Sequence, residues 1–293
     1  MPELPEVNVI AECIESKILN TYLSHLILHD GSRYNKDGIL TLETCVGEPY
    51  EVNGEITYDI GGIVKRVFTY GKKIFIEVKL DSDKIVYITS FLAIFGTWRF
   101  DKEFGAKHTL VFTNSNGEFK LHYHDTRNWG IFSIVDDYNK VLKDTGCDFF
   151  HPEVNLEYFK SYIRNKSPIN GKIVFRNYNE KDIGTFLMDQ KYVSGVGAYI
   201  RSESLYTAKI LPTRLLKDIN DDEIECLYNA IIDIMVESHD LGGYSMKDYI
   251  NPFGIKGTFK PKIADKKVDS FGNTVIKTKH GERNIHYVPA VQT

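Results

Sequence analysis

The sequence predicts an α+β multidomain protein: a helix and a strand-rich first half, a helical second half and a small β appendage. Three observations predict it. After Pro5, a residue suited to a first helical turn, Val7, Ile10, Ala11, Ile14 and Ile18 share one helical stripe. From Asp30 to Val135 the runs KKIFIEVKL, KIVYITSF, HTLVFT and EFKLHYH are β-branched, aromatic and partly alternating. Breaks at Asp-Ser-Asp and Asn-Ser-Asn-Gly make these antiparallel strands, closed into a sandwich or a barrel. After Cys147 helical spacing returns in LEYFKSYIRNK, DIGTFLMDQKYV, AYIRSESLYTAKI and DDEIECLYNAIIDIMVESHDL, with SGVG interrupting two of them. Beyond Gly242-Gly243 the chain becomes basic and Gly-punctuated, and TVIKTKHGERNIHYV reads as a hairpin turning near His280-Gly281. The divisions fall at residues 1–147, 148–250 and 251–293.

Composition narrows the function classes. A chain of 293 residues, 42% hydrophobic and 26% charged, has the balance of a soluble protein with room for two domains. No apolar run approaches the roughly 18–20 residues that span a bilayer, so no membrane partner is expected. The N-terminus lacks a basic region followed by an apolar stretch, so it is not a secretory signal. Cys13, Cys45, Cys147 and Cys226 are widely separated, which reads as reduced thiols in an intracellular protein with no Cys-based zinc site. The net charge of −4 argues against a polyanionic partner, but its distribution does not. From Gly254 onward eight cations face three carboxylates, a local charge of +5 that suits either a solvated tail or a polyanion site.

Four stretches carry possible chemistry. With Met1 removed, Pro2 presents a secondary amine whose ordinary pKa, about 7.7–8.0, leaves a neutral fraction at physiological pH. Such an amine attacks aldehyde-level carbon and forms an iminium, with Glu3 or Glu6 able to shuttle protons. The plainer reading is a protected terminus with Glu3 offsetting a helix dipole. In YGKKIF, Gly71 turns the chain and places Lys72 at a strand start, facing solvent or lowering a nearby amine's pKa and gripping phosphate. HDTRNWG offers Arg127 and Trp129 on one side of an extended segment, for core packing or for a wedge in a base stack. In DQKYVSGVGAYIRSE, Gly195 and Gly197 lack the preceding strand and third glycine of a dinucleotide loop, and a turn between helices that exposes N–H groups suits a DNA phosphate better.

Together these residues resemble the formamidopyrimidine-DNA glycosylase/endonuclease VIII family. The resemblance spans nearly the whole chain in order: MPELPEV, YGKK, FLAIFG, DTRNWG, LMDQKYVSGVGAYIRSE, GGYSMKDY and HGERNIHYVP. It implies a catalytic N-terminal helix and β-sandwich, a helix–two-turn–helix DNA-binding domain, and a β-hairpin finger. It implies that Pro2 is the Schiff-base nucleophile, Glu3 its acid–base partner and Lys72 a catalytic phosphate contact, with Glu6 in the lesion pocket. Arg283, Gly195, Gly197, Lys166 and Arg127 would bind DNA, duplex or single-stranded. The implied protein is a monomer without a cofactor, acting in a DNA-containing compartment.

Departures from the family pattern are informative. Where most relatives hold four cysteines around zinc, this finger has residues such as Val275, Val288 and Val291. That resembles the zincless-finger endonuclease VIII-like branch, in which apolar packing replaces the metal. His280 and His286 alone make a poor zinc site. Ala198 stands where an asparagine usually contacts phosphate, Asn128 where a second arginine fills the void, and Ile94 where a methionine does. Ile94, Asn128 and Trp129 then occupy the void-filling positions. The implied activity is a bifunctional glycosylase and abasic-site lyase, with oxidised pyrimidines and ring-contracted guanine products favoured. A catalytically silent lesion-binding protein and a Pro-amine tautomerase are the rivals; retention of Pro2, Glu3 and Lys72 opposes the first, and the basic tail opposes the second. Thin opposite-strand contacts predict similar cleavage of a lesion opposite each of the four bases, and a strong opposite-base preference in an oligonucleotide panel refutes it.

Overall fold

A computed structural model describes residues 1–35, 47–164, 180–245, 249–281 and 283–293; Cys45 and Lys166 lie outside them. The chain forms two compact units. Residues 1–142 make the first together with Ser245–Gly257, and Lys143–Tyr244 with Thr258–Thr293 make the second.

In the first unit, α1 (Leu4–Ile18) buries Val7, Ile10, Ala11, Ile14 and Ile18, the stripe expected from their spacing. Strands β1 (Tyr22–Leu28), β2 (Tyr50–Val52), β3 (Glu55–Tyr70), β4 (Lys73–Leu80), β5 (Ile85–Phe91), β6 (Thr97–Arg99), β7 (His108–Asn114), β8 (Gly117–His124) and β9 (Ile131–Val135) follow. They pair antiparallel in the order β6-β8-β7-β1-β3-β4-β5-β9, with β2 on β3. The 16-residue β3 joins the two halves of the sheet: Ile56–Ile63 pair with β1 and Gly62–Tyr70 with β4, with a register shift at Val64/Arg66. Bulges of this kind bend a strand and allow one sheet to fold over a single core. Gly62 permits the overlap, since a Cβ there would lie 2.7 Å from Lys79 O. The resulting core takes Leu23 and Leu26 from β1, Leu110 and Phe112 from β7, Ile74 and Ile76 from β4, and Ile10 and Ile14 from α1. A short helix, α2 (Asn139–Leu142), ends the segment.

The second unit is helical. β10 (Cys147–Asp148) pairs parallel with β11 (Val193–Ser194), around α3 (Leu156–Ile163) and α4 (Ile183–Met188). α5 (Ala198–Thr207) and the 20-residue α6 (Asp221–Asp240) follow. Side-chain caps set the starts: Asn155, Asp182 and Asn220 each accept from a backbone N–H of the first turn, and Glu223 completes a capping box on α6. The segment DIGTFLMDQKYV is helical only to Met188. The Asp189 carboxylate accepts from Lys191 N and its carbonyl from Tyr192 N, so local turn bonds replace the helical ladder. The chain ends in the expected hairpin, β12 (Ile276–His280) and β13 (Arg283–Tyr287), with His280 opposite Arg283 and Gly281 at φ +63°. Val275 and Val288 are buried with Tyr206 and Ile263, and Val291 packs against them. Among the described residues no helix is long and apolar enough to cross a membrane.

Two histidines of the first unit are buried in neutral form. His108 stacks on Tyr123 with ring centroids 5.1 Å apart, and burial pushes its pKa from 6.5 down to about 3. Burial also pushes His122 down to about 4. Below pH 6.5 the unfolded chain takes up protons that the folded chain refuses, so stability is full above that pH and falls as pH drops toward 3. The melting temperature is therefore expected to decline between pH 7 and 4.5, and His108→Gln should flatten the decline in a calorimetric pH series.

Candidate active site and nucleic-acid interface

The N-terminus of α1 concentrates buried polar groups. Pro5 occupies the first turn, and Glu3 and Glu6 form a reciprocal capping box in which Glu3 N donates to Glu6 Oε2 at 2.8 Å. Both carboxyl side chains are enclosed, Glu3 at 4% exposure and Glu6 at 0%. Pro2 is buried beside them and lines a cavity of about 330 Å³ with Met1, Ile10, Ile94, Phe95, Thr97, Thr126, Tyr249 and Ile250. That volume lies in the range of small-ligand sites, about 300–1,000 Å³. Among the described residues the buried Thr97 hydroxyl has no hydrogen-bond partner. Tyr249 reaches Glu6 O at 3.5 Å, and burial, then the Glu6 and Cys13 charges, raise its pKa and keep it protonated.

Lys72 sits in the turn between β3 and β4, one residue before the strand start expected for it, and is only 5% exposed. Gly71, at φ +56°, takes the first central position of this two-residue turn, which favours glycine in type II′ geometry. The adjacent Lys73 instead donates to Val141 O at 2.7 Å.

Two loops of the first unit are held together around Tyr123. Gly96 and Gly130 both abut its hydroxyl, which would lie 2.4 Å and 1.9 Å from a Cβ at these positions. The loop Asp125–Gly130 is pinned by the buried Asp125 carboxylate, which accepts from Arg127 N at 3.0 Å and Gly130 N at 2.6 Å. Asn128, at φ +54°, turns its side chain to Gly31 O at 3.0 Å. Trp129 remains 51% exposed and meets Phe95, 38% exposed, at a ring-centroid distance of 5.8 Å. The Arg127 guanidinium lies 5.4 Å from the Phe95 ring and 5.7 Å from the Trp129 ring.

The second unit carries the Gly-rich turn. Gly195 adopts φ +91°, and Gly197 caps α5. Gln190 braces the turn, accepting from Gly195 N at 3.0 Å and donating to Val196 O at 2.7 Å. α5 then fastens the finger with three fully buried polar residues. Arg201 donates to Gly184 O and to Asn284 O, and Ser202 Oγ accepts from His286 N. Glu203 accepts from the backbone N–H groups of Lys262, Ile263 and Ala264 at 2.6, 2.9 and 2.8 Å. His280 bonds Asp182 Oδ1 at 2.7 Å near the hairpin turn. Burial raises the Asp182 pKa, but bonds from Thr185 and His280 outweigh it and hold the carboxyl below its ordinary value. Arg283 is exposed beside that turn. Among the described residues no group of three His, Cys, Asp or Glu side chains could hold a metal ion.

Sequence reasoning missed Phe95, Thr97, Gln190 and Tyr249. Phe95 and Tyr249 lay inside quoted motifs, FLAIFG and GGYSMKDY, but only the fold shows that they line the Pro2 cavity.

A helix-and-sheet N-terminal unit and a helical unit that ends in a β-hairpin are the architecture that this geometry defines. Residues 1–132 match the formamidopyrimidine-DNA glycosylase N-terminal domain, and residues 148–249 the formamidopyrimidine-DNA glycosylase H2TH domain. The chain belongs to the formamidopyrimidine-DNA glycosylase/endonuclease VIII family. It is 29% identical to the formamidopyrimidine-DNA glycosylase of Rickettsia conorii, over 100% of this chain and 99% of the relative. It is 28% identical to that of Rickettsia felis, over 100% and 98%. The fold is similar to MutM (Fpg) from Thermus thermophilus, with a TM-score of 0.74, 21% identity and coverage of 99% of this chain and 98% of that one. Lactococcus lactis Fpg in complex with abasic-site DNA gives a TM-score of 0.75 at 21% identity, covering 99% of each chain.

Glu203→Gln is expected to leave at least one of the three loop N–H groups unpaired. The cost is about 2–3 kcal/mol, read as a lower melting temperature and as faster amide exchange at residues 262–264.

Proposed function

We propose that this protein is a bifunctional DNA glycosylase and abasic-site lyase of base excision repair. The observation that carries the reading is Pro2 on a cavity at the start of α1, with Glu3 and Glu6 buried beside it. The damaged nucleotide leaves the stack and enters that cavity, since its sugar carbon is unreachable inside a duplex. With Met1 removed, the Pro2 nitrogen attacks the anomeric carbon. The bond to the base breaks with its electron pair, and Glu3 passes a proton to the opening sugar ring. The product is an iminium between Pro2 and the open sugar.

The iminium draws electrons from the neighbouring sugar carbon, which loses a proton, and the 3′ phosphate departs. A second elimination releases the 5′ phosphate, and water frees the enzyme. In this reading Lys72 binds a phosphate flanking the lesion, and its positive charge favours the neutral amine. The Gly195–Gly197 turn, Lys166 and Arg127 bind backbone phosphates, and Arg283 binds near the lesion from the exposed end of the finger. Ile94, Asn128 and Trp129 take the space that the nucleotide vacates, and Glu6 borders the lesion pocket. Oxidised pyrimidines and ring-contracted guanine products are the preferred substrates, a choice that rests on likeness to the zincless branch. The valine cluster supports it by supplying finger packing without a metal ligand.

Borohydride reduces the iminium to a stable amine, so incubation with abasic DNA is expected to give a covalent complex on a denaturing gel. Pro2→Gly should give none, and Glu3→Gln should slow base release about 10²–10⁴-fold. No complex with the wild-type protein would refute the mechanism. DNA binding that weakens steeply with salt separates this reading from a small-molecule tautomerase.

A further inference from the structure

The finger hairpin is fastened in two places, at opposite ends. The valine cluster closes the open end, where Val275 precedes β12 and Val288 follows β13. His280, at the turn, is five strand steps or about 17 Å further on, and a two-stranded ribbon of this length is marginally stable alone. A separate polar contact holds the turn. His280 Nε2 lies 2.7 Å from Asp182 Oδ1 and 3.2 Å from Thr185 Oγ1. A carboxylate oxygen can only accept, and the Thr185 hydroxyl gives its one proton to Asp182 Oδ2 at 2.9 Å. The ring nitrogen therefore carries the hydrogen and shares it between the two oxygens. Asp182 also caps α4, accepting from Thr185 N at 2.8 Å, so the helix fixes the acceptor's place. Gly184 makes the room, since a Cβ there would come within 3.1 Å of His280 Nε2 and 3.0 Å of Pro212 O. On the other strand the fully buried Arg201 links Gly184 O to Asn284 O, at 3.2 and 2.9 Å. Both strands thus meet the start of α4 next to Arg283, which lies opposite His280 in the ladder and is exposed.

We propose that His280 and Asp182 are positioning residues for Arg283, resting on the reading above in which Arg283 binds DNA near the lesion. The pair acts through Arg283 and not on the sugar. It holds the finger turn against the first turn of α4, so a side chain with many rotamers starts from a fixed backbone. Less freedom is then lost when the guanidinium meets a phosphate. Arg201 grips the strand after Arg283 through a main-chain carbonyl, which any residue at that position would offer. His280 is the side chain that fastens the strand before the turn. Without it the turn is freed while the valine cluster keeps the hairpin folded, and affinity falls without loss of the finger.

The test measures Kd for a duplex carrying a tetrahydrofuran abasic analogue. His280→Ala is expected to raise Kd about tenfold, the size of one coupled hydrogen-bonded pair. His280→Gln, whose amide N–H can reach Asp182, should recover most of that loss. Asp182→Ser, which keeps a capping oxygen but shortens the side chain, should match His280→Ala, and combining the two should cost nothing more. In an Arg283→Ala background His280→Ala should change Kd by less than about twofold, because nothing remains to position. Amide exchange in His280→Ala should quicken at residues 280–284 while residues 285–288 stay protected. Equal losses from His280→Ala with and without Arg283 would overturn the proposal, and so would an unchanged Kd in either His280→Ala or Arg283→Ala. Exchange that quickens along the whole hairpin would make His280 a structural support only. None of these readouts needs the Schiff base. A protein that never traps with borohydride yet shows the dependence on Arg283 keeps the positioning pair and loses the lyase reading.

Discussion

A charged side chain buried in a folded protein must find hydrogen-bond partners, and in this molecule backbone groups outside regular structure supply many of them. Glu203 shows the constraint most fully. Its carboxylate, inside α5, is closed by three successive N–H groups of the segment at Lys262–Ala264, which has no sheet or helix of its own to satisfy them. The carboxylate needs the segment and the segment needs the carboxylate. Arg201 is instead closed by carbonyls of regular elements, Gly184 in α4 and Asn284 in β13, while Asp125 repeats the loop arrangement in the first unit with the N–H groups of Arg127 and Gly130. Removing one partner strands the other, so these contacts specify loop geometry more sharply than apolar packing does.

The same logic governs the start of α1. Glu6 closes the backbone N–H of Glu3, which fixes the path of the first residues and sets Pro2 against the cavity. Glu3 in turn accepts from the Glu6 N–H, so the two enclosed carboxyl groups close the first turn reciprocally. The first residues of a chain are ordinarily its most mobile part. Here it is held by the helix it begins.

Much of this was legible in local pattern. The α1 stripe, the strand runs, the helix that begins at DDEIECLYN and the hairpin turn at Gly281 are each encoded within a few residues, and the structure has them where spacing placed them. DIGTFLMDQKYV reads as one helix because its apolar spacing continues past Met188. Competition from the Asp189 side chain and pairing of Val193 with Cys147 stop it, and neither appears in periodicity. Tyr249 meets Glu6 across 243 positions of chain, a contact no local rule reaches. Phe95 ends a strand-like motif in a sequence rich in aromatics, and its pairing with Trp129 follows from two glycines on either side of one tyrosine.

The packing of Tyr206, Ile263, Val275, Val288 and Val291 bears on the conditions under which the finger keeps its shape. A hairpin closed by thiolates and a metal is vulnerable to the oxidants that damage bases, because those oxidants also attack sulfur and release the ion. Aliphatic side chains offer no such target. A finger anchored by valines therefore keeps its exposed arginine on a hairpin whose anchoring side chains such oxidants leave intact.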